Sequence, residues 1–376
     1  MDAKVDWRAD AVLEKRITDR WCSFGPYYAM FPVEFARKVI RTYTDPGDFV
    51  LDPFCGRGTS VFCAGEAGRD GLGIEINPVG WLYAYVKIRP APQAQVEARL
   101  DEITSLSRKD DREIAKLPVF FRKCFCRRVL AFLLTCRRHL DWRANRVDAT
   151  LMAFVIVYLH GRIGETGIPQ ALSNQMRQTK AMWPPYSIRW WNENGFNRPP
   201  IIDPVAFLKT RITWRYKRGF PDFRESVVKL GDAPSVLSRL PNSLDGQFRL
   251  LFTSPPYRYV TSYYVDQWLR LWMLGDHAVP SRVGERWRGR FEDPDEYSKL
   301  LDTVFARSAR LMADDAVIYV RTDAREFTRD ATIAALKKAF PGKKRSMRSR
   351  PFKKDTQTAL FGDAGKKPGE VDIILR

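Results

Sequence analysis

Short apolar runs that end on turn residues recur in two stretches of this chain, and between them the pattern changes. In the first stretch, about Gly25 to Lys87, the run Asp48–Asp52 stops at a glycine-rich turn, GRGTS. An apolar segment with helical spacing follows, then a second strand-like run, Gly71–Ile76. The second stretch begins near Glu225. Ser226–Leu230 ends at Gly231-Asp232, and Phe248–Phe252 runs into Thr-Ser-Pro-Pro. A helix over Glu296–Met312 precedes the run Ala316–Val320, and Val371–Leu375 reads as a late strand. Strands alternating with helices predict an α/β fold built on a doubly wound, mostly parallel sheet. Such sheets bind ligands beyond the carboxyl ends of their strands, where both turns fall.

From Pro90 to Arg224 this alternation is lost, which predicts an inserted domain over 91–224 between a first part, 1–90, and a second part, 225–376. The segment Lys116–Arg146 holds nine Lys or Arg against one acid, Asp141. Its apolar helical stripe marks a basic helical part. AMWPPYSIRWWNENGFNRPP then reads as aromatic and loop-rich. A separate basic run, KKRSMRSRPFKK, spans Lys343–Lys354.

Composition changes the picture in one direction. A net charge of +19 and a pI near 9.8 cost self-repulsion unless a polyanion offsets them, so nucleic acid is the leading partner and an anionic membrane surface the second. No run approaches the roughly 20 apolar residues of a membrane span; Ala149–Leu159 reads as a buried core helix instead. The N-terminus, MDAKVDWRADAVLEKR, has no apolar signal core, so a cytoplasmic location is expected. Six scattered cysteines fit free thiols in a reducing compartment. Cys124, Cys126, Cys136 and His139 cluster, but C-x-C is not the usual knuckle spacing, and no metal is expected.

The turn in LDPFCGRGTS has glycines at 56 and 58, which let a ligand approach the backbone closely. The helix that starts near Thr59 offers unpaired N–H groups. Glu75 closes the next strand, where an acid accepts hydrogen bonds from ribose hydroxyls. Val61 stands where a nicotinamide site would have its third glycine, and no Gly-Lys-Thr or Gly-Lys-Ser follows. A phosphate-free adenosyl ligand fits better. G-x-G alone also fits an ordinary structural turn; Glu75 is what adds weight.

LLFTSPPY carries the second chemistry. Two prolines fix the backbone and remove N–H donors, leaving rigid carbonyls as acceptors. Rigid acceptors suit a nucleobase amine, whose nitrogen is poorly nucleophilic because its lone pair is delocalised. Accepting its protons at the Ser254 side chain and the Pro255 carbonyl, with Pro256 stiffening the turn, favours a pyramidal nitrogen facing a sulfonium methyl. Tyr257 is placed to stack on a base rotated out of a duplex. Taken alone, SPPY also fits a structural turn with a packing aromatic.

Together these motifs resemble the amino-methyltransferase family of DNA modification enzymes. DPFCGRGT is similar to its first motif, GIEINP to its second, GDAPSVLSRLPNS to its third and TSPPY to its fourth, in the serine form typical of cytosine 4-amino enzymes. GPYYAMFP resembles the motif that cradles the methionine end of the cofactor, and YYVDQWLRLWMLG the helix after the catalytic loop. The resemblance implies a Rossmann-like seven-stranded methyltransferase sheet with a large, mainly helical insert, and S-adenosyl-L-methionine as cofactor. It implies cofactor contacts from Tyr27, Pro32, Asp52, Pro53, Phe54, Gly56, Gly58, Thr59, Glu75, Ile76, Asp232, Ala233 and Thr253, with Asp232 at the adenine ring. Ser254, Pro255, Pro256 and Tyr257 are the expected catalytic residues.

Double-stranded DNA is the expected substrate, with room for a cognate restriction endonuclease as partner. Arg127, Arg128, Arg137, Arg138, Arg189, Trp190, Lys343, Lys344 and Arg345 are the expected nucleic-acid contacts, with Trp183, Tyr186 and Trp191 shaping a loop near the bases. Two features depart from the family: Arg57 stands where a small residue is usual, and the insert falls before the third motif. A carbon-5 cytosine enzyme would need a nucleophilic thiolate, and the chain has no Pro-Cys pair. Adenine 6-amino methylation, RNA amine methylation and an inactive DNA-binding protein on the same fold are the remaining alternatives.

Overall fold

A computed structural model describes residues 18–27, 30–107, 111–165, 167–177, 180–221, 223–257, 263–280, 293–350 and 369–376. The chain groups into two compact units, each drawn from three separate stretches.

One unit takes the described residues of Phe31–Asn77, Phe223–Thr261 and Glu285–Arg376. It holds a seven-stranded sheet in the order β3-β2-β1-β4-β5-β7-β6. The strands are β1 (Phe49–Asp52), β2 (Asp70–Glu75), β3 (Val227–Leu230), β4 (Phe248–Thr253), β5 (Met312–Asp323), β6 (Arg345–Arg350) and β7 (Glu370–Leu375). The first five pair in parallel, and β7 pairs antiparallel with both β5 and β6. This is the doubly wound, mostly parallel sheet that the alternation predicts, with the Rossmann-like seven strands that the resemblance implies. The strand order reverses between β1 and β4, so the loops leaving those two tips splay apart and open a crevice.

Burial explains why these runs are strands. β1 and β4 are buried on almost every residue, as a parallel strand covered on both faces must be. One face packs Leu51, Ile74, Leu251 and Ile318 against Leu301 and Phe305 of the helix Pro294–Ala309 and Leu336 of the helix Glu326–Ala339. Asp293 starts the first of these helices by accepting from the Asp295 and Glu296 N–H groups, both at 2.9 Å. Phe31 stacks on Phe252 at 4.3 Å, and Phe35 meets Phe252 and Tyr319 edge-on.

β6 is a strand that the apolar pattern does not predict. RSMRSR has one apolar side chain, Met347, and that one is half exposed. It is held by its ladder to β7 alone, and its arginines suit an unpaired sheet edge. The basic run Lys343–Lys354 thus holds an edge strand over 345–350; positions 351–354 lie outside the described residues.

The other unit takes the described residues of Met1–Met30, Pro78–Asp222 and Ser262–Gly284. Its elements are helices, among them Pro78–Ile88, Gln93–Leu106, Arg127–His139, Arg146–Val157, Pro184–Glu193, Pro204–Tyr216 and Tyr263–Met273. Asn145 caps Arg146–Val157 by accepting from two N–H groups, and the helix is buried from Asp148 to Val157. The segment read as aromatic and loop-rich holds a helix, Pro184–Glu193, which Pro184 at its first position helps to start. Cys124 and Cys136 are buried thiols, and burial pushes the Cys124 thiol well up, which makes it inert packing rather than a nucleophile. Among the described residues no helix is long and apolar enough to cross a membrane.

Candidate active site

The site builds from the tips of β1, β2 and β4, all in the sheet-bearing unit. After β1 the chain turns through Pro53–Gly58. Gly56 and Gly58 have φ of 54° and 73°, the left-handed region that side chains with a Cβ enter at a cost. Gly58 N–H closes the turn on the Cys55 carbonyl at 2.7 Å, and the Gly58 carbonyl accepts from Phe62 at 2.9 Å. The helix Thr59–Glu66 thus begins on a glycine without a capping side chain. Its first N–H groups are left for a ligand or solvent.

Asp52, at the tip of β1, is buried and accepts three hydrogen bonds. Phe54 N–H donates at 3.1 Å, Ser60 Oγ donates to Oδ2, and Thr253 Oγ1 donates at 2.6 Å. Burial pushes its carboxyl up to about 6 against the pull of those bonds. Since Thr253 is the last residue of β4, its bond ties the tips of the two strands on either side of the crevice.

Glu75, at the tip of β2, is pushed up to about 7, again by burial, although the N–H groups of Asn77, Gly56 and Ile76 favour its charged form. Asn77 N–H reaches Oε1 at 2.7 Å. Gly231 N–H donates to the Glu75 carbonyl at 2.9 Å, which joins the end of β3 to the same tip. Asp232 follows at the start of the helix Ala233–Leu237, half-buried, and Ala233 is buried.

These residues fit an adenosyl ligand. The Thr59 hydroxyl is buried and has no hydrogen-bond partner among the described residues, a cost that a ligand acceptor or donor would remove. A buried carboxyl at Glu75, raised to about 7, has room for further donors, which a pair of ribose hydroxyls would supply. Phe54 and Ile76 are half-buried and flank the two tips. Pro53 is buried; Pro32 is exposed and opens the helix Val33–Tyr43. Tyr27 is buried in the helical unit, while Tyr28 and Ala29 lie outside the described residues. Arg57 is buried.

The Ser-Pro-Pro-Tyr turn leaves β4 directly. Ser254 and Pro256 are half-buried, and Pro255 and Tyr257 are buried. Ser254 Oγ donates to Tyr257 Oη at 3.2 Å, and Tyr257 donates in turn to Glu370 Oε1 at 3.1 Å. Glu370 opens β7, which lies two places from β4 in the sheet. Its Oε2 meets Arg321 Nη1 of β5 at 3.3 Å. Arg321 also forks onto Asp372 through Nε (2.7 Å) and Nη2 (3.1 Å) and lies 3.6 Å over the Phe35 ring.

Sequence reasoning missed Glu370, Arg321 and Asp372. A signal was present: EVDIIL carries acids at alternate positions, which share one face of a strand, in a run otherwise fit for burial.

The expected nucleic-acid contacts lie in three places. Arg127 and Arg128 start the helix Arg127–His139, where Arg128 pairs with Asp203 at 2.7 Å. Arg138, in its last turn, meets Glu113 at 3.3 Å, and Arg137 donates to the Asp276 carbonyl while lying over Trp272. Arg189 is exposed beside Tyr186, and Trp190 stacks on Phe196. Trp191 is a core residue, fully buried with Nε1 on the Gln175 carbonyl at 2.7 Å. In the sheet-bearing unit Lys343 donates to the carbonyls of Asp314 and Ala316, whereas Lys344 and Arg345 are exposed.

Comparison with known proteins adds an independent line. Residues 7–80 match a family model described as DNA methylase. The chain is 44% identical over 54 residues to the Type II methyltransferase M.XycI of Xanthomonas campestris pv. cyanopsidis and 46% identical over 54 residues to M.Cfr9I of Citrobacter freundii, each match covering 14% of this chain and 18% of the relative. It is 32% identical over 88 residues to M.MjaII of Methanocaldococcus jannaschii, which covers 23% of this chain and 17% of that protein. Among solved structures, the rRNA methyltransferase aviRa from Streptomyces viridochromogenes aligns over 100% of this chain and 94% of its own, at 12% identity and a TM-score of 0.34. The matches to the curated relatives thus span under a fifth of each relative's length. The stretch that builds the glycine turn and Glu75 is, by sequence, similar to the DNA methylase family.

Proposed function

We propose that this protein is a DNA methyltransferase that transfers a methyl group from S-adenosyl-L-methionine to an exocyclic base amine, the 4-amino group of cytosine. The observation that carries this reading is the Thr253–Asp52 hydrogen bond. It fixes the turn bearing Ser254 beside the turn bearing Gly56 and Gly58, so acceptors for an amine and a cradle for an adenosyl group share one crevice.

Each residue then has a task. Glu75 accepts from the ribose hydroxyls, and the glycine turn with the Thr59 hydroxyl faces the amino-acid end or its neighbouring atoms. Asp232 lies toward the adenine. Bound S-adenosyl-L-methionine supplies an electrophilic methyl carbon on a sulfonium. Ser254 Oγ and the Pro255 carbonyl accept the two amine protons and orient the nitrogen lone pair. No strong base is required, because the nitrogen turns acidic only as the new carbon–nitrogen bond forms and can then release a proton. Tyr257 offers its ring to a base turned out of the duplex. Serine at 254 favours cytosine over adenine.

The insert, residues 91–224, is the proposed reader of the target, with duplex DNA as substrate. The named relatives are Type II methyltransferases, and on that likeness a cognate endonuclease is a fitting partner.

Incubating the protein with unmethylated DNA and labelled cofactor, then digesting to nucleosides for mass analysis, tests base, position and polymer together. The expected product is N4-methylcytosine. N6-methyladenine would correct the base, and label in RNA alone would correct the polymer. Ser254→Ala and Tyr257→Ala are expected to lose more than about a hundredfold in rate while keeping cofactor affinity; wild-type turnover in either contradicts the assigned roles.

A further inference from the structure

We propose that Glu370, steadied by Arg321, is a positioning residue that keeps Ser254 Oγ an acceptor toward the substrate amine. The inference rests on the function proposed above and concerns the direction of protons in one chain of hydrogen bonds.

A serine hydroxyl has one proton and two lone pairs. Facing an amine, it helps only if its own proton points elsewhere. The Glu370 carboxylate has no proton to give, so the Tyr257 O–H points to it across 3.1 Å. Tyr257 Oη then turns lone pairs to Ser254, and the Ser254 O–H is donated to it at 3.2 Å. Both Ser254 lone pairs remain for the amine. Without the carboxylate the order can reverse. Tyr257 would donate to Ser254, and the serine proton would swing toward the amine, setting donor against donor.

Arg321 and the Tyr257 hydroxyl are the neighbours that favour the charged form of Glu370. Arg321 lies 3.3 Å from Oε2, and its own orientation is fixed by the fork onto Asp372 and by the Phe35 ring. Burial, with Asp372 and Asp323, raises the Glu370 carboxyl above its ordinary value, and Arg321 and the Tyr257 hydroxyl limit that rise without reversing it. The ring of Tyr257 serves the base, and its hydroxyl serves the serine.

Single-turnover methyl transfer at saturating cofactor and DNA tests the arrangement. Tyr257→Phe keeps the ring and is expected to slow transfer about ten- to a hundredfold with unchanged Kd for cofactor and for DNA. Glu370→Gln, whose amide can donate to Tyr257, is expected to do the same. The double variant is expected to be no slower than Tyr257→Phe, because the hydroxyl through which Glu370 acts is already gone. A Glu370→Gln enzyme at wild-type rate overturns the proposal, as does a further multiplicative loss in the double variant. Should Glu370→Gln fail to fold, Tyr257→Phe decides: wild-type turnover overturns the relay, and loss that disappears in a Ser254→Ala background supports it. Absence of methyl transfer by the wild type overturns the proposed function and the relay together.

Discussion

Two buried carboxyl groups define the chemistry of this crevice at the residue scale. Glu75 has its carboxyl at about 7, above the ordinary 4.5, and Asp52 at about 6, above 3.8. Both are raised, so the folded protein holds their protons more tightly than the unfolded chain does. Their ionisation therefore costs stability fully above about pH 7, and that cost is removed as pH falls toward 4.5. The unliganded protein is expected to show a higher Tm at pH 6 than at pH 7.5, and Glu75→Gln to flatten that trend. Ligand affinity runs the other way, since ribose hydroxyls favour the charged carboxylate. Cofactor affinity is expected to fall below about pH 7, and Glu75→Gln to weaken it roughly tenfold or more and remove the pH dependence between 6 and 8. Titration by fluorescence or calorimetry across that range checks both. Glu75 was legible from its place at the end of the strand after the glycine turn, and Gly56 and Gly58 from the close ligand approach that residues without a Cβ allow. Glu370 was not, because its partner Tyr257 lies 113 residues earlier in the chain and only the sheet brings them together.

At the scale of elements, the strands were readable where burial imposes a continuous apolar run, as in β1, β4 and β7. β6 was not, because an edge strand owes its conformation to a neighbour's ladder and carries arginines on the outside. β2 had a further signal that went unused. A Cβ on Gly73 would lie 2.8 Å from Val61 Cγ2 and 2.9 Å from Cys55 Sγ, so glycine here lets the helix Thr59–Glu66 and the turn before it pack down onto the strand. Gly73→Ala is expected to destabilise by about 1–3 kcal/mol, the ordinary cost of overpacking a core, and to shift the Pro53–Gly58 turn with it. Denaturant unfolding together with cofactor titration checks this; an unchanged midpoint would mean that the helix yields without strain.

For the molecule as a whole, the sheet-bearing unit was legible and the helical one only in outline. Period-two and period-3.6 patterns mark elements with one wet face. The helix Arg146–Val157 is buried almost all round; its apolar content marked it as a buried core helix over Ala149–Leu159, but without a stripe its start was not set. Of the basic side chains expected on DNA, Arg128, Arg137 and Arg138 also hold partners within the chain, as does Lys343, yet a net charge of +19 leaves an excess for a polyanion. DNA affinity is expected to fall by about three to five decades between 50 and 200 mM salt if six to ten phosphates are engaged, measured by anisotropy. Grafting the insert of a relative with another target is expected to change sequence preference; an unaltered preference would place recognition elsewhere. β7 is made after β6 and yet lies between β6 and β5, so β6 has no neighbour to join until the later segment has slotted in. During synthesis from the N-terminus, Arg321 and Tyr257 emerge from the ribosome well before the acids that complete them. The hydrogen-bonded chain from Ser254 to Glu370 is thus one of the last parts of the fold to mature.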